Sequence, residues 1–126
     1  MSSATATAHP LIVEDDPDTF EWMHRRLGSY GFKADWARTL AEGIAALDRG
    51  NVCCVILDLK LPDGSGAEIL RKLRENGSTI KVAVVSGAED NATLSDAALL
   101  KPDAFFIKPV DFIELVTWLE SVRPCT

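Results

Sequence analysis

The chain has 126 residues, 47% of them apolar and 25% charged, which suits one compact domain with a real core. A formal net charge of −6 argues against a nucleic-acid or anionic-membrane surface, since binding phosphate needs clustered Lys and Arg. No apolar run approaches the ~18 residues of a membrane span, and the opening MSSATATAHP lacks the basic and apolar parts of a secretion signal.

Residues 1–9 read as a loose N-terminal tail ahead of a single domain over 10–123. The first element is the apolar run PLIVE (10–14), a strand. Asp16-Pro17 follows as a helix start, an N-cap residue before proline at the first helical position, opening a helix over 17–30. Its stripe is Thr19, Met23, Leu27 and Tyr30, with Phe20 and Trp22 flanking it as partly buried rim residues. FKADWA (32–37) alternates polar and apolar residues, as an edge strand does. A helix over 40–49 closes at Arg49-Gly50, and VCCVILD (52–58) is the next strand.

The helix over 67–76 closes at Asn76-Gly77, and KVAVVS (81–86) is again a strand. A segment rich in small residues (92–100) is the fourth helix, AFFIK (104–108) the fifth strand. The last helix, 111–122, carries the stripe Phe112, Leu115, Val116, Leu119 and Val122. Runs 11–13, 52–57 and 82–85 are nearly continuous apolar stretches, the mark of parallel strands covered on both faces. Five strands alternating with five helices on short loops predict an α/β fold, a (βα)5 open parallel sheet. The cysteine count is odd, and Cys53 and Cys54 are neighbours expected on opposite faces of a strand. Reduced thiols in a cytoplasmic protein follow from that, rather than a disulfide framework.

In such a sheet ligands bind outside the carboxyl ends of the strands. Those ends carry Glu14 and Asp15 after the first strand and Asp58 after the third. Ser86 follows the fourth and Lys108 the fifth. Taken singly, each has an ordinary explanation: solvation, a turn, a snorkelling lysine. Their common placement is what asks for a joint one. Clustered carboxylates repel each other and favour a hard divalent cation with oxygen ligands, Mg²⁺ in a cell. A carboxylate can also act as nucleophile toward a phosphoryl group, screened by the metal and an ammonium. Asp58, central in the sheet, is placed for that role, with Lys108 as fixed cation and Ser86 as donor to a phosphoryl oxygen.

The segments LIVEDDP, VILDLKLPDGSG, VVSG and FFIKP, in this order and spacing, resemble the receiver domain of two-component response regulators over residues 10–122. The resemblance implies the flavodoxin-like strand order 2-1-3-4-5. It also implies phosphorylation of Asp58 by a histidine kinase or histidine phosphotransfer protein, with Mg²⁺ required. Glu14 and Asp15 become the metal-site pair beside Asp58, with the Lys60 backbone carbonyl as a further ligand and Asp16 as helix cap. Ser86 and Phe105 stand at the switch positions, and Lys108-Pro109 at a bond usually cis in the family. Lys60 and Ala88 stand where the family tunes the approach of the attacking water. The implied molecule is not an enzyme beyond its own phosphoryl transfer and dephosphorylation. It would switch an unknown downstream protein or output domain, with a homodimer possible through the fourth helix, fifth strand and fifth helix, and with no direct nucleic-acid or membrane contact. Three rivals compete. A Mg²⁺-dependent aspartyl-phosphate hydrolase wants an acid where Lys60 stands. A flavin-binding module wants a phosphate loop where EDDPD stands. A phosphorylation-independent interaction module would not need the residues present here.

Overall fold

The computed structural model of the protein describes residues 9–87 and 98–122. In chain order its elements are β1 (His9–Val13), α1 (Pro17–Gly28), β2 (Asp35–Ala37), α2 (Leu40–Asp48), β3 (Val52–Asp58), β4 (Lys60–Leu61), β5 (Gly64–Ser65), α3 (Ala67–Glu75), β6 (Lys81–Ser86), β7 (Ala104–Ile107) and α4 (Phe112–Ser121). Residues 92–97, most of the fourth helix expected from sequence, lie outside the described residues. Five strands form one parallel sheet in the order β2-β1-β3-β6-β7. Counting only the strands of this sheet, that is 2-1-3-4-5, the flavodoxin-like order.

The three apolar runs are its central strands because they alone can bury both faces. Leu11, Val13, Val55, Leu57, Val82 and Val84 face α2 and α3, meeting Ala46, Ile69, Leu70 and Leu73. Ile12, Cys54, Ile56 and Val85 face the other way, onto Phe20, Met23 and Leu27 of α1 and Leu115, Val116 and Leu119 of α4. The result is a three-layer sandwich in which each helix buries one stripe. Gly50 and Gly77 take positive φ after α2 and α3, where a side chain would be strained.

Several expectations need correction. β1 begins at His9, inside the expected tail, because His9 N–H bonds the Asn51 carbonyl at 2.9 Å and the residue pairs with Val52. β2 has only three residues, since an edge strand has one neighbour to pair with and β1 supplies only Leu11, Ile12 and Val13. Phe20 is a core residue of α1, while Tyr30 lies beyond the helix and is half exposed. The cysteines also differ. Between His9 and Pro10 the register slips, so that His9 pairs Val52 while Pro10 pairs Cys54. That bulge cancels the alternation and sets the Cys53 and Cys54 sulfurs 3.9 Å apart, both against the α1–α4 layer. Cys53 is disulfide-bonded, so the expectation of reduced thiols holds only for Cys54, a free buried thiol whose pKa burial pushes up to about 12.

Candidate functional site

The carboxyl ends of β1, β3 and β7 converge on one open, polar cleft. Glu14 and Asp15 follow β1 directly, Asp58 is the last residue of β3, and Lys108 is the first after β7. Together with Asp16, Thr19, Lys60, Leu61 and Pro62 these four residues line the cleft. One carboxylate oxygen each from Glu14, Asp15 and Asp58 lies within 4.8 Å of the others. Lys108 reaches across the sheet to hold two of them, its Nζ 3.0 Å from Asp58 Oδ2 and 3.5 Å from Glu14 Oε1. The other oxygen of Asp58 accepts the Lys60 backbone N–H at 3.0 Å, and Glu14 Oε2 accepts that of Asp16 at 3.1 Å.

The charges are unevenly placed. Glu14 and Asp58 are only 3% and 5% exposed, whereas Asp15 is open to solvent. Burial, and then the nearby Asp58 charge, push the Glu14 carboxyl up to about 7. Burial works against the Lys108 ammonium, yet its hydrogen bond and attraction to Asp58, with the Glu14 charge behind them, raise its pKa. Two buried acids sharing one ammonium still leave negative charge uncompensated. Three hard oxygen donors at this spacing fit a small divalent cation such as Mg²⁺, with room in the open cleft for water ligands.

The site rests on backbone that the sequence pattern did not single out. After Asp58 the chain folds into a short antiparallel hairpin, β4 against β5, where a plain loop is expected. Gly66 closes it, its N–H on the Leu59 carbonyl at 2.8 Å, and a Cβ there would run into the Asp58 carbonyl oxygen. At the hairpin tip the Asp63 carboxylate accepts the N–H groups of Leu40 and Ala41 at 2.8 and 3.1 Å, which holds its pKa below the usual range. It thus caps α2 from 23 residues away, beside the local cap Thr39. On the other side Asp16 caps α1 through Asp18 and Thr19, freeing Glu14 and Asp15 for the cleft.

The remaining candidates are dispersed. Ser86 ends β6, 1% exposed, its Oγ 3.5 Å from the Gly87 carbonyl. The Lys108 N–H bonds the Ser86 carbonyl at 2.8 Å, coupling the ends of β6 and β7. Phe105 is 37% exposed and Ile107 46%, both on the same face of β7. The Lys108-Pro109 peptide is cis. Ala88 lies outside the described residues.

An open α/β sheet of this order, with an acid cluster and a bridging lysine at its carboxyl edge, defines a class of flavodoxin-like proteins with a charged pocket at the strand ends. Residues 11–120 match the response regulator receiver domain family, and the chain belongs to that family. It is 33% identical over 112 residues to the transcriptional activator protein IrlR of Burkholderia pseudomallei, covering 89% of this chain and 48% of that one. It is 36% identical over 113 residues to the transcriptional regulatory protein PcoR of Escherichia coli, covering 89% and 50%. The chain thus spans about half the length of these curated relatives. Among solved structures, a CheY-like response regulator receiver domain protein from Methanospirillum hungatei superposes with a TM-score of 0.83 at 26% identity, covering 94% of this chain and 95% of that one. A response regulator receiver protein from Pseudomonas putida gives 0.81 at 27% identity, covering 94% and 99%. No described helix is long and apolar enough to cross a membrane.

Proposed function

We propose that this receiver domain is a phosphoacceptor, modified on Asp58 by a partner histidine kinase or histidine phosphotransfer protein, with Mg²⁺ at Glu14, Asp15, Asp58 and the Lys60 carbonyl. The observation that carries the reading is the Lys108 ammonium bridging Asp58 and Glu14 within a three-carboxylate cluster. In this reading an Asp58 carboxylate oxygen forms the new bond to phosphorus as the donor's leaving group departs. Lys108 neutralises the phosphoryl oxygens, and the metal, when bound, screens the acids from the incoming anion. The Ser86 hydroxyl then turns toward the phosphoryl group and Phe105 moves inward, changing the face that β7 and α4 present. That face would contact a downstream protein or output domain, or a second copy of the chain. The domain is in this sense no enzyme, acting only on its own phosphoryl group, and its setting is the cytoplasm. Curated relatives named as transcriptional regulators tie those proteins to nucleic acid. The net charge of −6 therefore speaks against nucleic-acid binding by these 126 residues only.

The test is labelling with acetyl phosphate and Mg²⁺, followed by intact mass. Wild type should gain one acid-stable, base-labile phosphoryl group, and Asp58→Asn none, because an amide is not a nucleophile. Undiminished labelling of that variant would remove Asp58 from the role.

A further inference from the structure

We infer that Trp36 is a positioning residue for the metal site, holding the peptide that joins Glu14 to Asp15. The inference rests on the Mg²⁺ reading above and adds to it a residue outside the acidic cluster. β1 ends at Val13, and one residue later the Glu14 N–H still bonds across the sheet to the Ala37 carbonyl at 3.0 Å. The Glu14 carbonyl takes a side-chain donor instead: the indole Nε1–H of Trp36, 22 residues on, donates to it at 2.7 Å. Both backbone polar groups of Glu14 are therefore pinned.

The plane of a peptide is rigid, so fixing the Glu14 carbonyl also fixes the N–Cα direction of Asp15. Asp15 is the open, solvent-facing acid of the cluster, and the described structure records no side-chain hydrogen bond for it that would set its direction. Its carboxylate is aimed by its backbone, and that backbone is aimed by Trp36. The indole is itself held firmly. Its ring stacks on Phe20 of α1, centroids 4.3 Å apart and planes within 3°, and the Arg38 guanidinium carbon sits 5.0 Å from its centroid. Arg38 also lines, with Asp15, Thr39, Glu42 and Pro62, the cleft beside the acid pocket. One stack thus runs from the α1 core to the rim of the site, and its single polar atom is spent on the Glu14 carbonyl.

Trp36→Phe keeps a flat ring for Phe20 and removes only the donor. Mg²⁺ affinity should fall about three- to tenfold, the range for one net hydrogen bond, when measured by calorimetric titration. A merely structural role would lower the metal-free Tm and leave the Mg²⁺ Kd as in wild type, and that result overturns the inference. A second measurement needs no variant. In ¹⁵N-labelled wild type the Trp36 indole N–H resonance should move on adding Mg²⁺, saturating at the same concentration as the titration. A stationary resonance while Mg²⁺ binds overturns it equally. Failure of wild type to bind Mg²⁺ at all would instead bring down the metal reading beneath it, so the two failures are distinct.

Discussion

Glu14 shows how a single residue can tie stability to pH. Its carboxyl stands at about 7 in the folded protein against 4.5 for an ordinary glutamate, because burial and then Asp58 disfavour its charge. Folding therefore takes up a proton between those values. The resulting stabilisation is whole below about 4.5 and is lost as pH rises through 7. Asp16 and Asp63 shift the other way, so their contributions fade only in more acid solution, below the usual carboxylate range. Metal-free protein should accordingly melt higher at pH 5.5 than at pH 8, and Glu14→Gln should flatten that slope. Mg²⁺ competes with the proton, so adding it should lift the Tm more at pH 8 than at pH 5.5. Calorimetry across the range checks this. A wild-type slope that survives Glu14→Gln would assign the effect elsewhere.

At the level of elements, the hairpin β4–β5 is a brace between the end of β3 and the start of α2. Gly66→Ala drives a Cβ into the Asp58 carbonyl, which is backbone and has no rotamer with which to yield. The variant should lose about 2–3 kcal/mol, a fall of roughly 10 °C in Tm, and should be phosphorylated more slowly because the strain falls on Asp58 itself. A Tm within a degree or two of wild type would mean that the hairpin gives way freely. This brace also marks the limit of what the sequence discloses. Glu14, Asp15, Asp58 and Lys108 are legible because each is a polar residue closing an apolar run, and a parallel sheet brings such ends together. Gly66, Asp63 and Trp36 act on backbone groups far along the chain, and contacts of that kind leave no period to read. The bulge beside Cys53 is hidden for a related reason, since one slipped pair inverts the face that alternation assigns.

For the molecule as a whole, the phosphoacceptor reading makes the lifetime of the phosphorylated state the quantity to measure. Lys60 lines the cleft two residues after Asp58, with its N–H on the Asp58 carboxylate. Its ammonium can lie over phosphoryl oxygens and hinder an attacking water. Lys60→Ala should therefore shorten the phosphorylated half-life, about two- to fivefold if a barrier of up to ~1 kcal/mol is removed. Hydrolysis followed by intact mass after removing the donor, at fixed Mg²⁺, gives the answer. A rate equal to or below wild type would dispose of the shielding and leave the receiver assignment intact. Lys108 and Ser86 are joined through backbone at the ends of β7 and β6. Motion of either strand end is felt by the other.

The cluster at the sheet's carboxyl edge has a consequence for the order of events. Once Glu14 is ionised, three carboxylates stand against one ammonium, leaving two negative charges where an anionic donor must arrive. Under the phosphoacceptor reading that charge would oppose an anionic donor, and a divalent ion would be the coin that turns the turnstile. The kinetics should be compulsorily ordered, cation first and donor second, with no productive path the other way round. Under the phosphoacceptor reading, cellular Mg²⁺ would act less as a helper of the chemistry than as a standing licence to receive a signal.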